Sequence, residues 1–132
     1  VQFVEIRMLS TGQTMVANTR LTAFSCDGSS VQVLLLVPGP NLPSTAGSRW
    51  IMATPSFAAA ACITPDFTFT PPGGHPGIFP SCGMVCWGAP GMEPPPPASW
   101  DLTNPLSYVD CVAYGPYTGP LPMGSPASKA PA

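Results

Sequence analysis

Every proline in this chain lies after residue 37: positions 1–37 hold none and positions 38–132 hold all 20. Proline has a fixed φ and no backbone N–H, so it is tolerated at helix starts, turns and sheet edges but not inside a helix or a central strand. The regular part of the fold must therefore begin in the N-terminal stretch. Later elements must be short and separated by loops.

Residues 1–9 are β-branched and aromatic around Glu5 and Arg7, which predicts a strand. Residues 10–13 read as a turn and 14–24 as a second strand, bent near Ala17 and Asn18. Asp27-Gly28, within residues 26–30, marks a hairpin turn. Residues 31–37 are nearly all apolar and predict a third strand, buried on both faces. A Pro/Gly loop over 38–47 leads to a fourth strand at 49–54. Thr54 and Pro55 suit the cap and first position of the one helix candidate, an Ala-rich piece over 56–62. Short strands follow at 66–70, 83–88 and 108–114. Between them lie a Gly/Pro loop at 71–81 around His75 and a segment at 89–98. That segment contains four consecutive prolines, Pro94, Pro95, Pro96 and Pro97, which predict an exposed polyproline II stretch.

Seven or so short strands with regular turn signals and one short helix predict an all-β sandwich. The domain runs over residues 1–115, and 116–132 form an extended Pro/Gly/Ser-rich C-terminal tail with no core of its own. Trp50, Ile51, Val33, Leu35, Val4, Ile6, Val85 and Val112 are the expected core. Glu5 and Arg7, two residues apart on one strand face, can pair with each other. Asp110, also inside a strand, is expected at a sandwich edge or on backbone N–H groups.

Charge narrows the function. Charged residues are 8% of the chain, against about 25% in ordinary soluble domains. Four scattered cations make neither a nucleic-acid footprint nor a polybasic membrane patch. No apolar run reaches the roughly 18 residues that span a bilayer. Residues 28–48 carry no net-charged side chain, so the surface suits a protein covered by partner subunits, sugar or a matrix. The chain opens at Val1 inside a strand pattern, which reads as a processed terminus or the first ordered residue of a longer product.

Five cysteines stand at 26, 62, 82, 86 and 111, without a CxxC pair. In an extracellular setting they read as disulfides with one thiol left over, and counting leaves the connectivity open.

In order along the chain, Phe3-Val-Glu-Ile6, Arg49-Trp-Ile-Met-Ala-Thr54, the Pro55-Ser-Phe-Ala helix, Gly83-Met-Val-Cys-Trp87 and Val109-Asp-Cys-Val-Ala-Tyr-Gly115 resemble the lamin-tail domain, specifically its bacterial secreted relatives. The resemblance covers residues 1 to about 119. It implies an immunoglobulin-like β-sandwich with a binding or structural role on secreted or surface proteins, and brings no shared catalytic residues. The chain departs from the family in its loops at 71–81 and 89–98, its extra cysteines and its scant charge. Cys86 and Cys111 sit mid-strand in the two strands that match best. They are expected to pair, across the sandwich or between neighbouring strands. Cys62 is then expected to pair with Cys82, leaving Cys26 as the odd cysteine beside its turn.

His75, the sole histidine, has no acidic neighbour to make it a base for a Ser or Cys nucleophile. The six acids form no paired-carboxylate motif, and we read the chain as non-enzymatic. His75, Cys82 and Cys86 do not have zinc-site spacing. Asp27, Asp66 and Asp101 are weak calcium candidates; no other cofactor is indicated. Asn18, Asn41 and Asn104 all fail the N-glycosylation pattern, while the Ser/Thr-Pro segments leave O-linked sugar open.

These features point to a secreted, extracellular or cell-surface structural protein that self-assembles into a filament or surface layer. Intersubunit contacts are expected at Pro94–Pro97 and at Tyr117, Leu121 and Met123 of the tail. The alternative is a monomeric surface-binding module for a carbohydrate, a protein or calcium. An edge strand is normally guarded by lysine, and this chain has one lysine, Lys129, near its end.

Overall fold

Alternation of apolar and polar residues turns the proline-free stretch into strands, and the strands divide between two sheets. The computed structural model describes residues 1–11, 16–39, 46–88, 108–122 and 128–129. In chain order the elements are β1 (Phe3–Arg7), β2 (Arg20–Phe24), β3 (Val31–Leu36), β4 (Arg49–Ala53), helix α1 (Pro55–Ala61), β5 (Phe67–Thr68), β6 (Gly83–Gly88), β7 (Asp110–Tyr114) and β8 (Ser128–Lys129). The smaller sheet has the order β1-β4-β5 and the larger β3-β2-β6-β7-β8. The expected polyproline II run at 94–97, Asp101 and Met123 lie outside the described residues.

In the smaller sheet β1 and β4 are antiparallel, from Phe3 opposite Ala53 to Arg7 opposite Arg49. β4 and β5 are parallel. Parallel neighbours need a crossover, and α1 supplies it. Pro55 starts the helix, but the Thr54 side chain does not cap it. Its hydroxyl instead accepts the Gln2 N–H at 3.1 Å and meets Ser56 Oγ at 3.0 Å. The helix thus ties down the start of β1, where Phe3 packs on Phe57 with ring centroids 4.7 Å apart.

The two sheets share a core. Trp50 and Met52 from β4 pack with Leu21 and Ala23 from β2, closed by Met8, Val16, Leu34, Val37 and Phe69. A second cluster, Phe24, Met84, Cys86, Tyr108, Cys111 and Ala113, includes the residues of β2 and β6 that alternate onto the opposite face of the larger sheet. The strand buried on both faces is therefore β2, all five of whose residues are buried. The expectation placed that burial on the third strand. β3 has only one neighbour, so Gln32 and Leu34 are buried while Val31, Val33 and Leu35 are half-buried.

The expected core needs the same kind of correction. Trp50 is buried, but Ile51, Val33, Leu35, Val4, Ile6 and Val85 are half-buried and Val112 is exposed. Parity decides the β4 case: Trp50 and Met52 point inward, so Ile51 between them points away. Val4, Ile6, Val85 and Val112 fall short of full burial because they line a cleft between the two sheets.

The start of the tail is not separate from the domain. Thr118 donates its backbone N–H to Cys26 O at 2.8 Å, and Tyr117 packs on the Phe24–Tyr108 cluster. Tyr117, expected at an intersubunit contact, is engaged by its own chain. Leu121 is exposed. β8 pairs parallel with β7, so Lys129, the one lysine, falls on the edge of the larger sheet.

Candidate binding cleft

Trp50 of β4 and Trp87 of β6 meet edge to face at 5.5 Å and mark a point where the two sheets pack on each other. From that contact toward the open side, the smaller sheet continues by one strand, β1. The larger sheet continues by two, β7 and β8. The larger sheet therefore overhangs, and beneath it runs an apolar cleft of about 900 Å³. Val4, Ile6 and Met8 line one wall. Val85, Trp87 and Val112 line the other, with Ile78 from the 71–81 loop also in the lining.

That loop is held in place by Gln2. Its Nε2 donates to Pro76 O at 2.8 Å and Ile78 O at 2.9 Å, and its Oε1 accepts the Ile78 N–H at 3.0 Å. Trp87 is fixed by donating Nε1–H to Thr19 Oγ1 at 2.9 Å.

The polar rim consists of Glu5, Arg7 and Asp110. Glu5 does not pair with Arg7 as expected. Its Oε1 accepts from Arg49 Nη1 at 2.7 Å, because the β1–β4 register brings Arg49 beside it diagonally. Arg7 stands directly opposite Arg49, an unfavourable like-charge pair, and has no acidic partner among the described residues. Asp110 Oδ1 accepts the N–H of Cys111 at 2.8 Å, as expected of a strand carboxylate.

β1 also presents unpaired backbone. Thr54 donates to Gln2 O, and Met8 donates to Ser48 O. Even-numbered residues of β1 thus turn their peptide groups to β4, and by alternation Phe3, Glu5 and Arg7 turn theirs to the open side. No strand among the described residues pairs with that edge.

Two disulfides brace the larger sheet. Cys86 and Cys111 are opposite one another in the β6–β7 register and are joined, on neighbouring strands. Cys82 is joined to Cys26, not to Cys62. The expectation erred because Cys82 lies just before β6, next to the β2–β3 turn, whereas Cys62 ends α1 with a left-handed φ of 54° and is exposed and free.

The metal candidates are not brought together: no group of three or more His, Cys, Asp or Glu suited to a metal occurs among the described residues. Cys82 and Cys86 are both in disulfides, and His75 stands in an exposed loop, its N–H on Pro72 O. Asp27 Oδ1 is spent inside its own turn, accepting from the Ser29 N–H, the Ser25 hydroxyl and the Ser29 hydroxyl. These bonds, the Ser29 N–H foremost, lower its pKa to about 2. Asp66 Oδ2 accepts the Ile51 N–H at 2.7 Å.

Sequence reasoning did not find the cleft. Its one signal was the lack of lysine anywhere before residue 129, which leaves β1 without the usual edge guard. No helix among the described residues is long and apolar enough to cross a membrane. No protein-family model, curated protein or solved structure matches the chain.

Proposed function

We propose that the protein is an extracellular structural module that joins other polypeptide chains at the open side of its sandwich. One observation carries this reading: an apolar cleft coincides with the edge of β1, which no strand among the described residues pairs. Each feature is a liability on a monomer; together they make a site where main-chain ladder bonds supply affinity and side-chain pockets supply specificity. Two disulfides support an oxidising compartment.

The lamin-tail relationship and an immunoglobulin-like arrangement belong to the same proposal. The five motifs behind the resemblance fall on β1, β4, α1, β6 and β7, the elements that build the sandwich and frame the cleft. A sugar ligand fits less well, because Trp50 is buried behind the cleft and Trp87 is half-buried, so neither offers an open stacking platform.

Self-assembly into a filament is the homotypic case. A contact joining two different surfaces of one chain propagates unless its rotation closes, and the scant charge puts little long-range repulsion in its way.

Sedimentation velocity of the oxidised chain over a wide concentration range, with Val112→Asp as control, tests the reading. Concentration-dependent association abolished by Val112→Asp supports the homotypic case. Association that survives the substitution places the contact elsewhere and defeats the proposal.

A further inference from the structure

We infer that the occupant of the cleft is a single extended strand of another polypeptide, added antiparallel to β1, with an acidic residue opposite Arg7 and aliphatic residues turned toward Val112. This rests on the association proposed above and gives it a ligand class.

The backbone sets the first requirement. Phe3, Glu5 and Arg7 direct N–H and C=O outward, so an added strand is held by a ladder of period two. β1 is five residues long, about 17 Å at roughly 3.4 Å per residue. The overhang sets the second. Residues of the added strand opposite Val4 and Ile6 turn to the inner face, toward Val112 of the overhanging sheet, so aliphatic or β-branched side chains are favoured there.

Charge sets the third. Glu5 is already engaged by Arg49, while Arg7 faces Arg49 across the ladder. A carboxylate on the new strand opposite Arg7 supplies that cation with an acidic partner and offsets its like-charge contact with Arg49. The ligand pattern is aliphatic–acidic–aliphatic. A basic residue two positions beyond the acid then comes opposite Glu5.

The edge of a second sandwich does not meet these requirements. Antiparallel strands in one sheet are related by a two-fold axis perpendicular to it, so both larger sheets would stand on the same side. Each overhangs β1, and β7 and β8 would collide with their symmetry mates. A lone strand avoids the collision.

Residues 2–8 of the chain, Gln-Phe-Val-Glu-Ile-Arg-Met, themselves carry the pattern, and as a blocked heptapeptide they serve as the probe. The full oxidised chain is titrated with this peptide and followed by NMR. The amides of Phe3, Glu5 and Arg7 should become protected from exchange and the Val112 methyls should shift. A peptide with its Glu replaced by Lys should bind about tenfold more weakly, from loss of one cross-strand ion pair and gain of a like-charge pair. Arg7→Glu in the protein should reverse that preference. Glu5→Pro removes an N–H that faces away from β4 and should abolish peptide binding while leaving the melting temperature nearly unchanged.

Shifts at Val112 without protection of those three amides would overturn strand addition while leaving cleft association intact. No change at either place would sink both readings. Protection of the same amides on concentrating the protein alone would show that a second copy occupies the edge, against the steric argument.

Discussion

The indoles of Trp50 and Trp87 cross edge to face, one from each sheet, at an interplanar angle of 76°. Trp50 also stands edge-on to Phe67 at 5.8 Å and is 1% exposed. It is the side chain through which β4, β5 and β6 are held together. Trp50→Ala should cost about 3–5 kcal/mol and lower the melting temperature by roughly 10 °C or more. Thermal unfolding followed by circular dichroism checks this, and an unchanged midpoint would show that the inter-sheet contact is not the keystone of the core.

Local patterns made the strands legible. The Gly83–Gly88 strand, the Arg49–Ala53 strand and the Pro55 helix start were all readable from residues a few positions apart. What was not legible depended on topology. Arg49 lies 44 positions from Glu5, while Arg7 lies two away, so a sequence reading favours the wrong cation. Cys26 reaches Cys82 over 56 positions, only because β2 and β6 are ladder neighbours. Whether Ile51 or Met52 faces the core is a matter of parity that composition cannot decide. The cleft is still less visible, since it arises from the unequal widths of two sheets.

The cysteines should behave unequally. Non-reducing peptide mapping should return Cys26–Cys82 and Cys86–Cys111, with one thiol, Cys62, alkylated in the native state. Cys86 and Cys111 are both buried, whereas Cys26 is half-buried. Mild reduction without denaturant should therefore open Cys26–Cys82 first, and loss of either bridge should cost about 2–4 kcal/mol. Earlier reduction of Cys86–Cys111 would contradict the packing of the second cluster.

Thr22 is fully buried on β2, and its hydroxyl has no hydrogen-bond partner among the described residues. A buried hydroxyl without a partner carries a desolvation cost of about 1–3 kcal/mol. Thr22→Val keeps the shape and removes that cost. Chemical denaturation should show equal or greater stability, where most buried substitutions destabilise. A clear loss would reveal a partner for the hydroxyl.

Stability should fail at both ends of the pH scale for separate reasons. Tyr114 donates its hydroxyl to Phe79 O at 2.7 Å, and burial raises its pKa to about 12. The folded value lies above the ordinary 10.0, so its contribution is complete below pH 10 and is lost as pH rises toward 12. Burial, with the Asp27 charge second, raises Tyr117 as well. Asp27 has the opposite sign: its contribution is present above pH 3.8 and is lost as pH falls toward 2. Tyrosinate absorbance and carboxyl NMR titrations read both. Tyr114→Phe should remove the part of the alkaline loss that belongs to its ionisation.

The tail should prove to be part of the fold where it crosses the β2–β3 turn. Gly28 holds a φ of +74°, and a Cβ there would meet Pro120 Cδ at 2.9 Å and Tyr117 Oη at 3.3 Å. An L-residue is strained in that backbone region, and the added atom would push residues 117–120 off the turn. Gly28→Ala should therefore destabilise by about 1–2 kcal/mol. Tyr117→Ala should do so as well, by uncovering the Phe24–Tyr108 cluster. Tyr117→Phe loses only the local bond to Pro120 O and should be close to neutral. Urea unfolding midpoints rank the three. If Gly28→Ala and Tyr117→Ala both match the wild type, the packing of residues 117–120 on the β2–β3 turn contributes nothing to the stability of the domain.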